Sequence, residues 1–533
     1  MTAHQSYENL PAIDDPAANT LIASMNTPGA FSHPVSYIRL VETHISWILL
    51  TGTYAYKIKK PVDFGFLDFS TLEKRRYYCE EELRLNRRFA PQIYLDVVAI
   101  RGSETAPQVN GKGEIIEYAV KMLEFPQHCL LSSYAGRREL SPKIIDAIAE
   151  RISEFHAHSD RAEADKDYGS AAQAAHWSQE NLVHIATAIP PQYLPNDYFA
   201  LKRWYRENLH LLTLIDARKT DGFVRECHGD LHLGNMALID DEVTLFDCIE
   251  FNPELRWIDT VSEAAFVAMD LHARGYPEYC WRFLNRYFES NGDYAGVELL
   301  RYYFVYRALV RAKVEALRVE QEACDSATYR ENIVPAIDYI ELAAQWAGRH
   351  RAGLIIMHGL SGSGKSTVAA QLAEALGALQ VRSDVERKRL FDLAPTADSE
   401  SALGQGIYNA EATKATYRRL GEIAAAILAA DFTVIVDATL LKESQRRALL
   451  ELESIHPCNR IIIDCEAPES ELRRRIVERE QDASEANLEV LTQQLRTREA
   501  LSPREREIAQ VVRIDSSGLD AAKIDEIRNL LFS

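Results

Sequence analysis

The stretch GLSGSGKS, Gly359–Ser366, limits the possible folds of this chain more than any other. It follows the apolar run GLIIM and precedes TVAAQLAEALG, whose apolar spacing is helical. Strand, glycine turn and helix in that order call for a parallel sheet with crossover helices. The glycines let backbone N–H groups wrap a phosphate, and the helix N-terminus adds its positive end. Gly359, Ser361, Gly362, Ser363, Gly364, Lys365, Ser366 and Thr367 are therefore expected to hold a nucleotide. In that pattern Lys365 reaches the β- and γ-phosphates and Ser366 binds Mg²⁺. A chance glycine turn would rarely meet every one of these conditions.

The segments ALQVRSD, FTVIVDAT, RIIIDCEA and QVVRIDSS supply further strands, with helical stretches between them. The expected fold of this half is α/β, a doubly wound parallel sheet. Asp437 ends the strand of FTVIVDAT and suits a Mg²⁺ contact, although a strand-end turn also uses aspartate there. In VRSDVERKRL, Asp384 is a candidate to position an acceptor hydroxyl, with Arg387 close by. Ser383 and Glu386 also fit a capping box, which alone could explain the segment. Arg475 and Arg479 share a helical face and are candidate transition-state cations. Glu471 and Arg475 share that face as well, as on a surface helix laced with ion pairs.

A second constellation lies upstream. HGDLHLGN, His228–Asn235, is followed by MALIDDEVTLFDCIEF. Phosphoryl transfer needs a carboxylate aimed at the acceptor and oxygen ligands for a hard cation. Asp230 is the candidate base, and Asn235 and Asp247 are the candidate ligands. The intervening residues fit a short hairpin that brings Asp247 back to the loop. A lone Asp or Asn in a turn is commonplace; the full H-G-D-x-x-x-x-N followed by a strand ending in Asp is far more specific.

These residues resemble the catalytic and metal-binding loops of the aminoglycoside phosphotransferase family, over about residues 30–345. The resemblance implies an α+β, two-lobed, protein-kinase-like fold in which Asp230 orients or deprotonates the acceptor. Asn235 and Asp247 would hold Mg²⁺, and His228 would brace the loop. It also implies a strand lysine paired with a helix glutamate. AYKIKK offers Lys57 and Lys59, which share a face by alternation, and CEEELRLNRR offers Glu82 and Glu81. Lys57 and Glu82 match best; Lys59 and Glu81 are the alternatives, and the lysines could also simply solvate an edge strand. KMLEFP would be the hinge between lobes. No glycine-rich cover for the phosphates is evident, and LTGTYAY is the nearest candidate. Asp259, Glu263, Phe266 and Asp270 lie on one helical face and either attract a cationic acceptor or form a salt-bridged face, with Arg256 a partner for Asp259. The later half resembles the small P-loop kinases akin to gluconate and adenylate kinases and the zeta-toxin-like ATP-binding proteins of AAA type.

At 533 residues the chain is too long for one core. The expected division is an N-terminal extension over 1–30, a kinase-like N-lobe over 31–126, a helical C-lobe over 127–347 and a P-loop domain over 352–533. The net charge of −19 disfavours nucleic acid as a partner. Eight cysteines without a CxxC pair read as reduced core residues, and neither a secretory signal nor a membrane-length apolar run is visible. A cytoplasmic enzyme is expected, using ATP and Mg²⁺ on small hydroxyl compounds such as sugars or aminoglycoside-like acceptors. Two kinase sites acting on one metabolite, or one kinase gated by an ATP-binding switch, are the two leading readings. Others are a degraded kinase scaffold and a polynucleotide kinase. The acceptors and the oligomeric state are not legible.

Overall fold

A computed structural model of the chain describes residues 16–532 apart from 66, 164, 322–325, 349–350, 396, 400, 402–404, 455–456, 479–482 and 516–517. Two compact units emerge. The first comprises Met1–Ala147, Glu154–Asp270 and Tyr302–Ala347; the second comprises Ile148–Ser153, Leu271–Arg301 and Gly348–Ser533.

The first unit carries a six-stranded antiparallel sheet: β1 (Arg39–Glu42), β2 (Ser46–Leu50), β3 (Tyr54–Lys59), β4 (Tyr94–Ser103), β5 (Ala106–Val109) and β6 (Ile115–Leu123). Their spatial order is β1-β2-β3-β6-β4-β5. One face packs Trp47, Leu49, Tyr56, Ile58, Val98 and Ala119 against Leu21, Ile22 and Met25 of the helix Pro16–Met25. Alternation then turns Lys57 and Lys59 to the other face, toward the helix Leu72–Asn86. That helix starts at Thr71, whose hydroxyl accepts the Lys74 N–H. Ser70 does not serve as the cap, because Asp68 holds both its hydroxyl and its N–H.

The rest of this unit is mainly helical. The short pair β7 (Val224–Glu226) and β10 (Trp257–Asp259) flanks the HGD segment. The hairpin β8 (Met236–Ile239) and β9 (Glu242–Leu245) pairs Met236 with Leu245, as the spacing between Asn235 and Asp247 suggested. This is the α+β, two-lobed, protein-kinase-like architecture.

The second unit holds a five-stranded parallel sheet of β11 (Gly353–His358), β12 (Ala378–Arg382), β13 (Thr433–Asp437), β14 (Asn459–Cys465) and β15 (Gln510–Ile514), ordered β12-β13-β11-β14-β15. Crossover helices cover it, so its strands are apolar on both faces. This is the α/β P-loop architecture. The helix Pro277–Asn291 belongs to the same unit. Its Asn285 accepts the Gln380 N–H at 2.6 Å and donates to Ala378 O at 2.9 Å, covering the open side of edge strand β12.

Five of the seven described cysteines are buried and all seven are free; Cys324 lies outside the described residues. No helix among the described residues is long and apolar enough to cross a membrane.

Candidate active sites

In the first unit, Glu82 is fully buried and faces both strand lysines. Lys57 Nζ lies 2.8 Å from Glu82 Oε1 and Lys59 Nζ lies 2.7 Å from Glu82 Oε2. Lys59 also contacts Glu250 and is itself fully buried. Lys57 instead reaches Asp247 Oδ1 at 2.6 Å. Glu81 turns away to Arg84 and Arg256. Burial alone would lower the Lys57 ammonium, but Asp247, Glu82 and Glu250 together hold its pKa well above the ordinary value. Burial would likewise raise Glu82; the two lysines outweigh it and hold the carboxyl at about 2. Glu250 goes the other way: burial, with Glu82 beside it, raises its pKa despite Lys59.

The HGD loop is fixed from beneath. The backbone N–H groups of His228 and Gly229 both donate to Glu263 Oε1 at 2.7 Å, and His156 Nε2 lies 2.8 Å from Glu263 Oε2. Arg307, buried, donates to Gly229 O at 3.0 Å. His228 Nδ1 accepts the Asp230 N–H, so Nε2 carries the proton and donates to Phe246 O at 2.8 Å. Burial lowers its pKa and keeps the ring neutral. Gly229 has φ +89°, and a Cβ there would meet Leu255 O at 2.7 Å, so another residue would strain the loop.

Asp230 and Asn235 converge: Asn235 Nδ2 donates to Asp230 O at 2.9 Å and to Asp230 Oδ2 at 3.1 Å. That leaves the Asn235 carbonyl oxygen as its atom for a cation. Asp247 sits at φ +64°, unusual for a non-glycine residue. Its N–H donates to the buried Tyr94 hydroxyl at 3.0 Å, which pins the conformation. The cost of withdrawing the Asp230 carboxylate from water is outweighed by His232, 3.5 Å away, and by Arg311, so its pKa is lowered and it is ionised near neutrality.

The acidic face after Asp247 is a set of braces. Asp259 is buried and paired with Arg218 at 2.7 and 2.9 Å; Asp270 accepts the Leu233 N–H at 2.9 Å. With Glu263 committed to the loop, none of these carboxylates is free to draw in a cationic acceptor. Phe266, on the same face, stacks edge-on against His232. Arg256 pairs with Glu226, not with Asp259.

The turn in LTGTYAY joins β2 to β3, and Glu124 of the KMLEFP segment accepts its Thr51 and Gly52 N–H groups at 2.9 and 2.8 Å. Those donors are therefore taken. The turn between β1 and β2 is Thr43–Ile45, closed by a Thr43 N–H to Ser46 O bond, and contains no glycine.

In the second unit the phosphate loop leaves β11 and enters the helix Lys365–Leu376. Gly359, Gly362 and Gly364 all have positive φ, and a Cβ on Gly359 would meet Cys465 O at 2.5 Å. Lys365 is buried and donates to Leu360 O at 2.7 Å. Ser361 and Ser363 are buried, Ser366 is half-buried and Thr367 is exposed in the first turn. Asp437, buried at the end of β13, accepts from Gln380 at 3.0 Å and neighbours the Ser366 hydroxyl and the Lys365 ammonium. Burial raises its pKa against those groups.

Arg475 lies near the loop, since a Cβ on Gly364 would fall 3.4 Å from its Nη1, and it also pairs with Glu471 at 2.6 Å. Arg479 is outside the described residues. Asp384 is half-buried in the first turn of the helix Ser383–Arg389. Arg387, buried, donates to Ile407 O at 2.9 Å and stacks on Tyr408. The Ser383–Glu386 capping box does not form: Arg382 is the N-cap, and Glu386 pairs with Arg389 and Arg419.

Several residues of these sites escaped the sequence reading. Tyr94, Arg307 and Arg311 have no spacing signal tying them to the HGD loop, whereas Glu250 and His232 lie within the segments that carry it. Gln494 is another: it accepts the Ser361 N–H at 2.9 Å and donates to Ser361 Oγ at 3.0 Å.

Residues 354–501 match the family profile described as an AAA domain. An uncharacterized protein of Mycobacterium tuberculosis and one of Mycobacterium bovis are each 29% identical over 500 residues, covering 91% of this chain and 94% of theirs. Among solved structures, a Plasmodium vivax ethanolamine kinase is similar at 8% identity and a TM-score of 0.37, over 65% of this chain and 98% of its own. A gluconokinase from Sinorhizobium meliloti 1021 is similar at 24% identity and a TM-score of 0.23, over 34% of this chain and 91% of its own. A sugar kinase from Janibacter sp. HTCC2649 is similar at 23% identity and a TM-score of 0.27, over 34% and 94%. The family profile thus falls on the parallel-sheet unit that carries the phosphate loop.

Proposed function

We propose that the chain is an ATP- and Mg²⁺-dependent phosphotransferase with two nucleotide sites, each moving a phosphoryl group to a hydroxyl of a small molecule. The observation that carries the reading is the meeting of Lys57, Glu82 and Asp247, drawn from three separate segments, beside the Asp230–Asn235 pair. Lys57 would bind the ATP phosphates, Asn235 and Asp247 would hold Mg²⁺, and Asp230 would orient and deprotonate the acceptor.

In the second unit Lys365 and the loop N–H groups would hold the phosphates. Ser366 and Asp437 would hold Mg²⁺, Arg475 would neutralise charge during transfer, and Asp384 would orient the acceptor. A cleft of about 410 Å³ lined by Glu466, Arg513, Asp515 and Lys523 opens beyond the carboxyl ends of β14 and β15, where doubly wound sheets take ligands. It supplies room for the nucleoside end. The division into an N-lobe to residue 126, a C-lobe to 347 and a P-loop domain from 352 is retained as a proposal for the functional parts. The test is product mapping with Asp230→Ala and Lys365→Ala against a metabolite library: each change removes one distinct phosphorylated product. If Lys365→Ala only alters the rate of a single product, the second unit is a switch and not a kinase.

A further inference from the structure

The helices Ala171–Ala188, Asn196–Glu207 and Leu211–Thr220, with Tyr302 from a fourth, line a cavity of about 280 Å³ in the first unit. Packed interiors leave few voids larger than one water, whose share of the liquid is about 30 Å³. A space this large is sized for a molecule of one or two fused rings.

Its walls are the rings of Tyr198, Tyr205 and Tyr302 with Leu182 and Leu212. Tyr205 and Tyr302 meet edge-on with centroids 5.4 Å apart. Two of the three hydroxyls are engaged: Tyr198 donates to Leu182 O at 2.8 Å, and Tyr302 lies 3.1 Å from Ser178 Oγ. The buried Tyr205 Oη makes no hydrogen bond of ordinary geometry, and Ser178 is the polar group that lies beside it. Burial holds its pKa well above the ordinary phenol, so it stays a donor.

The rim is cationic. Lys202 and Arg206 line the cavity one helical turn apart, and among the described residues neither has an acidic partner. Like charges at this spacing repel. The neighbouring Arg203, by contrast, has Glu207 at 3.7 Å. None of Asp230, Asn235, Asp247 or Lys57 lines the cavity.

We propose that this cavity is a binding site for a small aromatic carboxylate. The ring system lies among the three tyrosines, a polar atom at its inner end takes the Tyr205 hydroxyl, and the carboxylate lies on Lys202 and Arg206. Aromatic walls favour edge and face contacts with a flat ring, and the guanidinium forks onto a carboxylate.

The probe is 6-hydroxy-2-naphthoate, titrated by fluorescence into the full chain, with its methyl ester as the uncharged control. Saturable binding at one site per chain is expected, at least ten-fold weaker for the ester. The exposed double change Lys202→Glu with Arg206→Glu is expected to weaken it at least ten-fold with the thermal midpoint unchanged. Tyr205→Phe is expected to weaken it several-fold, and Leu182→Trp, which fills the cavity, to abolish it. Absence of saturable binding overturns the assignment, as does binding that the charge reversal leaves within two-fold.

Discussion

Lys57 and Asp247 lie 190 residues apart in sequence and 2.6 Å apart in the first unit. The lysine that would meet a triphosphate thus already holds the carboxylate that would meet its metal. A magnesium-chelated nucleotide would replace this contact with phosphate on one side and cation on the other. Asp247→Ala is therefore expected to abolish acceptor phosphorylation by the first unit even at high magnesium, measured by turnover against metal concentration. Asp230→Ala is expected to lower kcat by about 10²–10⁴-fold, the usual range for a lost general base.

The two strand lysines should separate in experiment. Lys57 reaches the half-exposed Asp247; Lys59 is sealed between Glu82 and Glu250. Lys59→Ala leaves the buried Glu250 without its paired lysine, and breaking such a pair typically costs about 3–5 kcal/mol. Denaturant unfolding should show that loss for Lys59→Ala. Lys57→Ala should chiefly raise KM for ATP and lower kcat.

Glu82 sets an acid threshold for the same unit. Its folded pKa of about 2 lies below the ordinary carboxylate value of 4.5, so its ion pairs contribute fully above 4.5. The contribution is lost as pH falls from about 4.5 toward 2. Glu82→Gln should be less stable at neutral pH and show a flatter stability profile across that acid window, as read by circular dichroism.

Asp230 should titrate below the ordinary aspartate value, so its protonation should not reduce turnover near neutrality. His232 is a positioning residue for it. His232→Ala removes the nearest of the groups that lower the Asp230 pKa, and the acid limb of the pH–kcat profile should move upward. An unmoved limb with a reduced plateau would mean that His232 acts on the loop alone.

Gln494 holds Ser361 by two hydrogen bonds from the helix Leu488–Thr497. Each such bond is worth about 0.5–1.5 kcal/mol net. Losing both in Gln494→Ala should therefore weaken nucleotide binding in the second unit by about 5- to 150-fold, read by titration in an Asp247→Ala background.

Much of this architecture is local and could be read from the chain. The P-loop needs only eight consecutive residues and their flanks, and the alternation of AYKIKK puts both lysines on one face without any tertiary knowledge. The hairpin between Asn235 and Asp247 follows from spacing in the same way. Partner choice was less legible. Arg256 is three residues from Asp259 but pairs with Glu226, because the β7–β10 pairing brings that buried carboxylate to it. For the acidic helix face the spacing left a cationic acceptor and a salt-bridged face both open, and its carboxylates lie on backbone N–H groups of the HGD loop and on Arg218. The grouping of the helix Pro277–Asn291 with the parallel sheet rests on Asn285 meeting β12, a contact across more than ninety residues. No periodicity in a single chain reports such a contact.

The most direct test counts nucleotides. Calorimetric titration of the full chain with a non-hydrolysable ATP analogue and Mg²⁺ should give two bound per chain. Asp247→Ala and Lys365→Ala should each leave one, and the double variant none. A single site in the unaltered protein, or two sites that survive both changes, would contradict the assignment of nucleotide-binding residues in both units.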